Sequence, residues 1–208
     1  MEEILDVYCE TYDEQHPLIA MDEHPKQVTG DLMEPLPLEP GRPRREDHHY
    51  TRHGTRAVFA FCDPLRGWRR VNARDSRTRG DWAEEIRRLL DEDYPRAQTV
   101  TLVCDNLNTH HIASLYARFD APTAHRLARR LRLRYTPPHG SWLNVAEIEL
   151  SRLARQCLNR RFESAAQMDR AIAEWQRTAN AEHRGIRWRF TTAEARIKLH
   201  SLYPTHDN

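Results

Sequence analysis

Three acidic residues stand where a chain could place phosphodiester chemistry. Asp22 closes the apolar run Leu18-Ile19-Ala20-Met21, and Asp105 closes Val100-Thr101-Leu102-Val103-Cys104. Glu147 opens a helical pattern after Gly140-Ser141-Trp142-Leu143-Asn144-Val145-Ala146. A buried strand fixes its backbone, and its end opens to solvent. Two strand-end carboxylates and one helix carboxylate can therefore converge on divalent metal. Hard cations take oxygen ligands and clamp the attacking and leaving oxygens of a displacement. Without a cation, two carboxylates roughly 4 Å apart repel by about 4 kcal/mol at an effective dielectric of about 20.

The helix offers two acids, Glu147 and Glu149. Two residues along a helix turn through about 200°, so both cannot face one site. The apolar stripe is Ala146, Leu150, Leu153, Ala154, Cys157 and Leu158. Glu147 lies about 55° from its centre and Glu149 about 105°. The acid bordering the core is better placed to meet a strand end, so the pattern favours Glu147.

Other elements must hold these acids in place. The run 18–21 reads as a buried strand. From 30 to 56, Pro35, Pro37, Pro40 and Pro43 exclude regular structure over much of the stretch, while Arg42, Arg44, Arg45, Arg52 and Arg56 make it basic. That combination predicts a flexible arm entering a strand near Thr55. Residues 57–62 and 68–71 pattern as a hairpin about the turn at 63–67. A helix carrying Trp82, Ile86, Leu89 and Leu90 follows, then a strand over 99–104. Two short helices fit 112–119 and 123–131, with a brief strand over 133–135. Ser164 with Gln167, and Thr191 with Glu194, read as capping boxes of two later helices. Strand, helix and strand alternate, which predicts an α/β domain with a mixed sheet flanked by helices.

Composition narrows the class. The chain has 208 residues, enough for one domain with a real core. Its formal net charge is +1, so any nucleic-acid contact must rest on local patches. Cys9, Cys62, Cys104 and Cys157 form no C-x-x-C pair; three lie in apolar patterns and read as buried free thiols of a reduced cytoplasmic protein. No signal peptide and no membrane span is visible.

Three phrases carry a resemblance: Met21-Asp22-Glu23, Asp105-Asn106-Leu107-Asn108-Thr109-His110, and Pro138-His139-Gly140-Ser141-Trp142-Leu143-Asn144-Val145-Ala146-Glu147. They resemble the acid motifs of DDE transposases of the insertion-sequence 630 type, related to the mariner superfamily. Trp188-Arg189-Phe190-Thr191-Thr192 is similar to that family's tail. The resemblance implies a ribonuclease H-like fold over the whole chain as one catalytic domain. It implies Asp22, Asp105 and Glu147 as catalytic ligands of two ions, Mg²⁺ or Mn²⁺. It further implies cleavage of DNA at element ends, strand transfer, a homodimer when element ends are paired, and a bacterial, nucleoid-associated setting. Two departures stand out. The gap from Asp105 to Glu147 is long for a mariner relative, leaving 112–131 as an insert. The N-terminal helix-turn-helix of the family is also absent, so the chain reads as the catalytic half. A chain that kept the fold but not cleavage would be a DNA- or transposase-binding module. One that cut without joining would be a nuclease.

Accessory positions follow. His110 and Asn106 flank the second acid and are suited to contacting a phosphate or metal-bound water, or to ordering their loop. His48 and His49 sit in the polar arm as solvated residues. Asn144 suits a helix cap, and Trp142 either core packing or stacking on a base. The arm arginines and Arg152 are the candidate DNA contacts, with Arg155, Arg160 and Arg161 nearby.

Overall fold

The computed structural model describes residues 1–31, 50–138 and 140–203. Five strands make one sheet: β1 (Leu18–Asp31), β2 (Tyr50–Asp63), β3 (Trp68–Arg74), β4 (Val100–Cys104) and β5 (Leu131–Tyr135). Their spatial order is β3-β2-β1-β4-β5. The first three strands are antiparallel neighbours, and β4 and β5 run parallel to β1. This is the mixed ribonuclease H-like sheet expected from the sequence.

A period of two along each strand sorts side chains onto two faces. On one face Ile19, Met21, Phe59, Phe61, Leu102 and Leu131 form a core. It packs against α2 (Arg79–Arg88), α3 (Ile112–Arg118) and α4 (Ala121–Arg130). On the other, α5 (Ala146–Leu153) and α6 (Ala165–Ala181) cover Val28, Val58, Ala60 and Val71. The short helices α1 (Glu2–Tyr8) and α7 (Thr192–Lys198) close that face around Leu18, Ala20 and Val103. Cys62, Cys104 and Cys157 are buried free thiols, while Cys9 is exposed.

Several expectations need correction. β1 does not end at Asp22; it runs nine residues further, paired with β2 from Ala20 to Asp31. Only its pairing with β4 ends early, at Ala20. The polar stretch after Met21 hid this, because its hydrogen bonds go to one partner strand rather than to a buried apolar setting. Within 30–56, Gly30 and Asp31 belong to β1 and residues 50–56 to β2, so both ends of the expected arm are strand. Arg42, Arg44, Arg45, His48 and His49 lie outside the described residues, as does the side chain of Arg52. α4 starts at Ala121 with Pro122 in its first turn, and β5 begins two residues early, at Leu131. Thr191 and Glu194 do form a capping box, whereas Gln167 reaches back to the Glu163 N–H instead of to its cap residue.

At the β2–β3 turn, Gly67 has φ +71, and a Cβ there would meet the Arg184 backbone carbon at 2.7 Å. Only glycine permits that approach. The loop after α6 lies against this turn, with the Ile186 N–H donating to the Pro64 carbonyl at 2.6 Å.

Candidate active site

The three acids of the sequence pattern meet at one cavity of about 390 Å³, lined by Asp22, Asp105 and Glu147. Strand alternation explains two of them. Asp22 shares its face with Leu18 and Ala20, beneath α5. Ala20 pairs with Val103, so Asp22 and Asp105 stand two residues beyond that pair on parallel neighbours. The β1–β4 ladder has ended there, and the two strands part to leave an opening.

The third acid is fixed by its helical neighbour. Glu149 is buried in a bidentate ion pair with Arg69 of β3, at 2.5 and 3.0 Å. The same guanidinium donates to the carbonyls of Gly67, Ala179 and Arg184. Glu149 is therefore committed to the fold. About 200° of helical rotation separates it from Glu147, which is only half-buried and faces the cavity.

Asn144 ties the helix to the first strand. Its Nδ2 donates to the Met21 carbonyl at 2.9 Å, and its Oδ1 accepts from the Ala146 N–H at 3.1 Å. One buried amide thus links the backbone beside Asp22 to the first turn of α5. The expected cap role is not what it does: Val145 is the cap residue of α5, with no side-chain cap bond, and Asn144 serves as a strut just before it.

His110 plays the corresponding part between the two aspartates. It is fully buried, with its ring stacked on Trp82 at 5.7 Å. Its Nε2 lies 3.0 Å from Glu23 Oε1, and its Nδ1 lies 2.6 Å from Asp105 Oδ1. Burial works against the imidazolium, yet Asp105, Cys104 and Glu23 together carry its pKa up to about 11. It is a cation held between two carboxylates. Glu23 completes the tie, because its N–H donates to Asp22 Oδ1 at 2.7 Å.

Electrostatically the cavity is strained towards negative charge. Burial first, and then the nearby Asp105 and Glu147 carboxylates, push Asp22 up to about 6, against a hydrogen bond from Glu23 that lowers it. Oxygen donors that raise one another's proton affinity are the chemistry a divalent cation relieves, so the lining suits such an ion. Among the described residues no three carboxylate, imidazole or thiol groups stand close enough to form a ready-made ligand set.

The remaining sequence candidates divide. Asn106 lines the cavity and is exposed. Trp142 is exposed and meets Phe190 edge-on at 6.0 Å, outside the core. Arg56 is engaged with Asp75 at 2.8 Å and Asp169 at 3.3 Å, and donates to the Ala73 carbonyl. Arg152 pairs with Glu182 at 2.6 Å and lies over the Trp175 ring. Both of these arginines hold the fold together. Sequence reasoning missed Glu23 and Arg69. Glu23 was detectable in principle, as an acid in phase with the apolar positions Ile19 and Met21. Nothing local marked Arg69, whose partner is 80 residues away.

Residues 17–169 match the family model of the DDE superfamily endonucleases, and the chain belongs to that family. No curated protein matches it. Among solved structures it is similar to the Mos1 mariner paired end complex with Mn, at 15% identity and a TM-score of 0.50. That likeness covers 88% of this chain and 60% of the Mos1 chain. A pre-cleavage Mos1 transpososome aligns at 12% identity and TM-score 0.48, with the same coverage. At 15% identity the first of these likenesses establishes the fold alone, a ribonuclease H-like α/β domain. The chain spans about 60% of the length of the solved chains it matches. Among the described residues, no helix is long and apolar enough to cross a membrane.

Proposed function

We propose that this chain is the catalytic domain of an insertion-sequence transposase that cleaves DNA and transfers the freed strand. The observation that carries the reading is the convergence of Asp22, Asp105 and Glu147, from three distant segments, on one cavity. Asp22, Asp105 and Glu147 would hold divalent metal, Mg²⁺ or Mn²⁺ and most simply two ions. Such metal activates water or a 3′-hydroxyl and stabilises the leaving oxygen. The chain itself supplies placement. Glu23 and His110 orient the aspartates, and Asn144 fixes the distance from β1 to α5. Asn106 lines the cavity, where a phosphate would lie, and the exposed Trp142 beside Ser141 would stack on a base. Two copies would act on paired element ends.

The test is cleavage of an end-like duplex in Mn²⁺, followed on a sequencing gel. Wild-type protein should nick the duplex and form joined products, and chelation should stop both. Glu147→Gln should be inactive while remaining folded. Retention of metal-dependent cleavage by Glu147→Gln would sink the assignment.

A further inference from the structure

Edge strand β5 joins two clefts of opposite character. Its C-terminal end runs into Thr136 and Pro137, which line the carboxylate cavity. Its N-terminal end carries Arg132, which lines a second cleft of about 610 Å³ with His125, Arg126, Arg129 and Arg130 of α4. One carboxylate answers these four guanidinium groups. Arg126 grips Asp91 at 2.6 and 2.9 Å, and Arg130 reaches it at 3.5 Å. Arg130 also donates to the carbonyls of Tyr94, Pro95 and Ala97, so it is a structural tie. Arg129 and Arg132 are exposed, and among the described residues neither has a carboxylate partner. Arg132 donates only to the Arg129 carbonyl, at 3.3 Å.

Charge on an edge strand discourages unwanted strand pairing. That purpose accounts for Arg132. It leaves Arg129 unexplained, since it sits on a helix with no sheet edge to protect. A concave surface with a positive surplus is instead what an anionic backbone requires. The spacing also fits. Arg132 and Thr136 are four residues apart, which is about 13 Å at roughly 3.3 Å per residue. Phosphates follow one another closely along a strand, so a gap of that size lies within a few nucleotides on one bound backbone.

We propose that the α4–β5 cleft binds the phosphate backbone of DNA a few nucleotides from the phosphodiester held at the carboxylate cavity, through Arg129 and Arg132. This rests on the proposed DNA substrate and adds to it a contact at the opposite end of the sheet. Exposed guanidinium groups of this kind neutralise phosphates and read no bases. The contact therefore sets affinity and the path of the duplex, and leaves sequence preference unchanged.

The experiment is duplex binding by the full chain, measured between about 50 and 200 mM salt. Wild type is compared with Arg129→Ala/Arg132→Ala and with Arg170→Ala, an exposed change on α6. Each lost phosphate contact flattens the slope of log affinity against log salt by about 0.9, so the double variant should lose about 1.8. Arg170→Ala should keep the wild-type slope. Thermal midpoints should be unchanged throughout, because all three positions are exposed. Among duplexes bearing one neutral methylphosphonate at successive positions within a few nucleotides of the cleaved bond, at least one should bind wild type more weakly and the double variant no differently. An unchanged slope in the double variant would overturn the cleft as a DNA contact while leaving the carboxylate site standing. Absence of salt-dependent duplex binding by wild type would instead overturn the DNA substrate itself.

Discussion

Replacing Asp22 with Asn should make the metal-free protein more stable while abolishing cleavage. The carboxyl is held at about 6 in the folded protein, against an ordinary value of 3.8. That rise of about two units corresponds to about 3 kcal/mol. The sign follows from proton binding. Between the two values the folded state holds more proton than the unfolded chain, so stability falls as pH rises from about 4 to about 6 and stays lost above. Asn carries no charge to desolvate, and its Oδ1 still accepts from the Glu23 N–H, now at 2.7 Å. At about pH 7.5 the variant should gain at most about 3 kcal/mol, or roughly 6–12 °C in thermal midpoint for a chain of this size. At about pH 4 the two proteins should nearly coincide. Scanning calorimetry in chelator at several pH values reads this directly. Mn²⁺ should then raise the wild-type midpoint and do little for Asp22→Asn. Equal midpoints at about pH 7.5, or a gap that widens towards acid, would refute the account of repelling carboxylates.

Three more outcomes follow from the same geometry. Glu149→Gln strips one partner from a buried ion pair and should cost about 3–5 kcal/mol in denaturant unfolding, whereas Glu147→Gln should leave stability nearly intact. Asn144→Ala removes both hydrogen bonds of the strut. It should cost about 1–3 kcal/mol and slow cleavage more than it weakens duplex binding, which single-turnover assays at saturating DNA would separate. His110→Phe keeps the stacking surface on Trp82 but leaves Glu23 buried without its cation. It should destabilise by about 3 kcal/mol at neutral pH, and the loss should shrink when Glu23→Gln is combined with it.

The lining of the candidate site was more legible in the sequence than the fold's full extent. Apolar runs marked Asp22 and Asp105 because buried strands leave a hydrophobic signature. The helical wheel rightly put Glu147 and Glu149 on different faces but misjudged which lies nearer the core: Glu149 is the buried one, because Arg69 meets its carboxylate there. The long β1–β2 ribbon was not legible beyond Met21, since a polar two-stranded ribbon shows no apolar run. The ion pairs of Arg56 and Arg152 were illegible for a different reason. Local charge looks the same whether a guanidinium is free or bound to a distant carboxylate, and Asp169 and Glu182 lie 113 and 30 residues from their partners. The Glu23–His110 tie stayed hidden on the same ground, as it spans 87 residues.

The strut from Asn144 to the Met21 carbonyl spans 123 residues. Contacts so remote close late in folding, after the local helices and hairpins have formed. Ribosomes add roughly 5–20 residues per second, so about 6–25 s separate the emergence of Asp22 from that of Glu147. Throughout that interval the growing chain lacks the third acid, and until Asp105 is made it holds only the first. Under the proposed function, a nascent or prematurely ended chain would lack a complete set of metal ligands, and the order of the acids along the polypeptide would hold back cleavage until synthesis had passed Glu147.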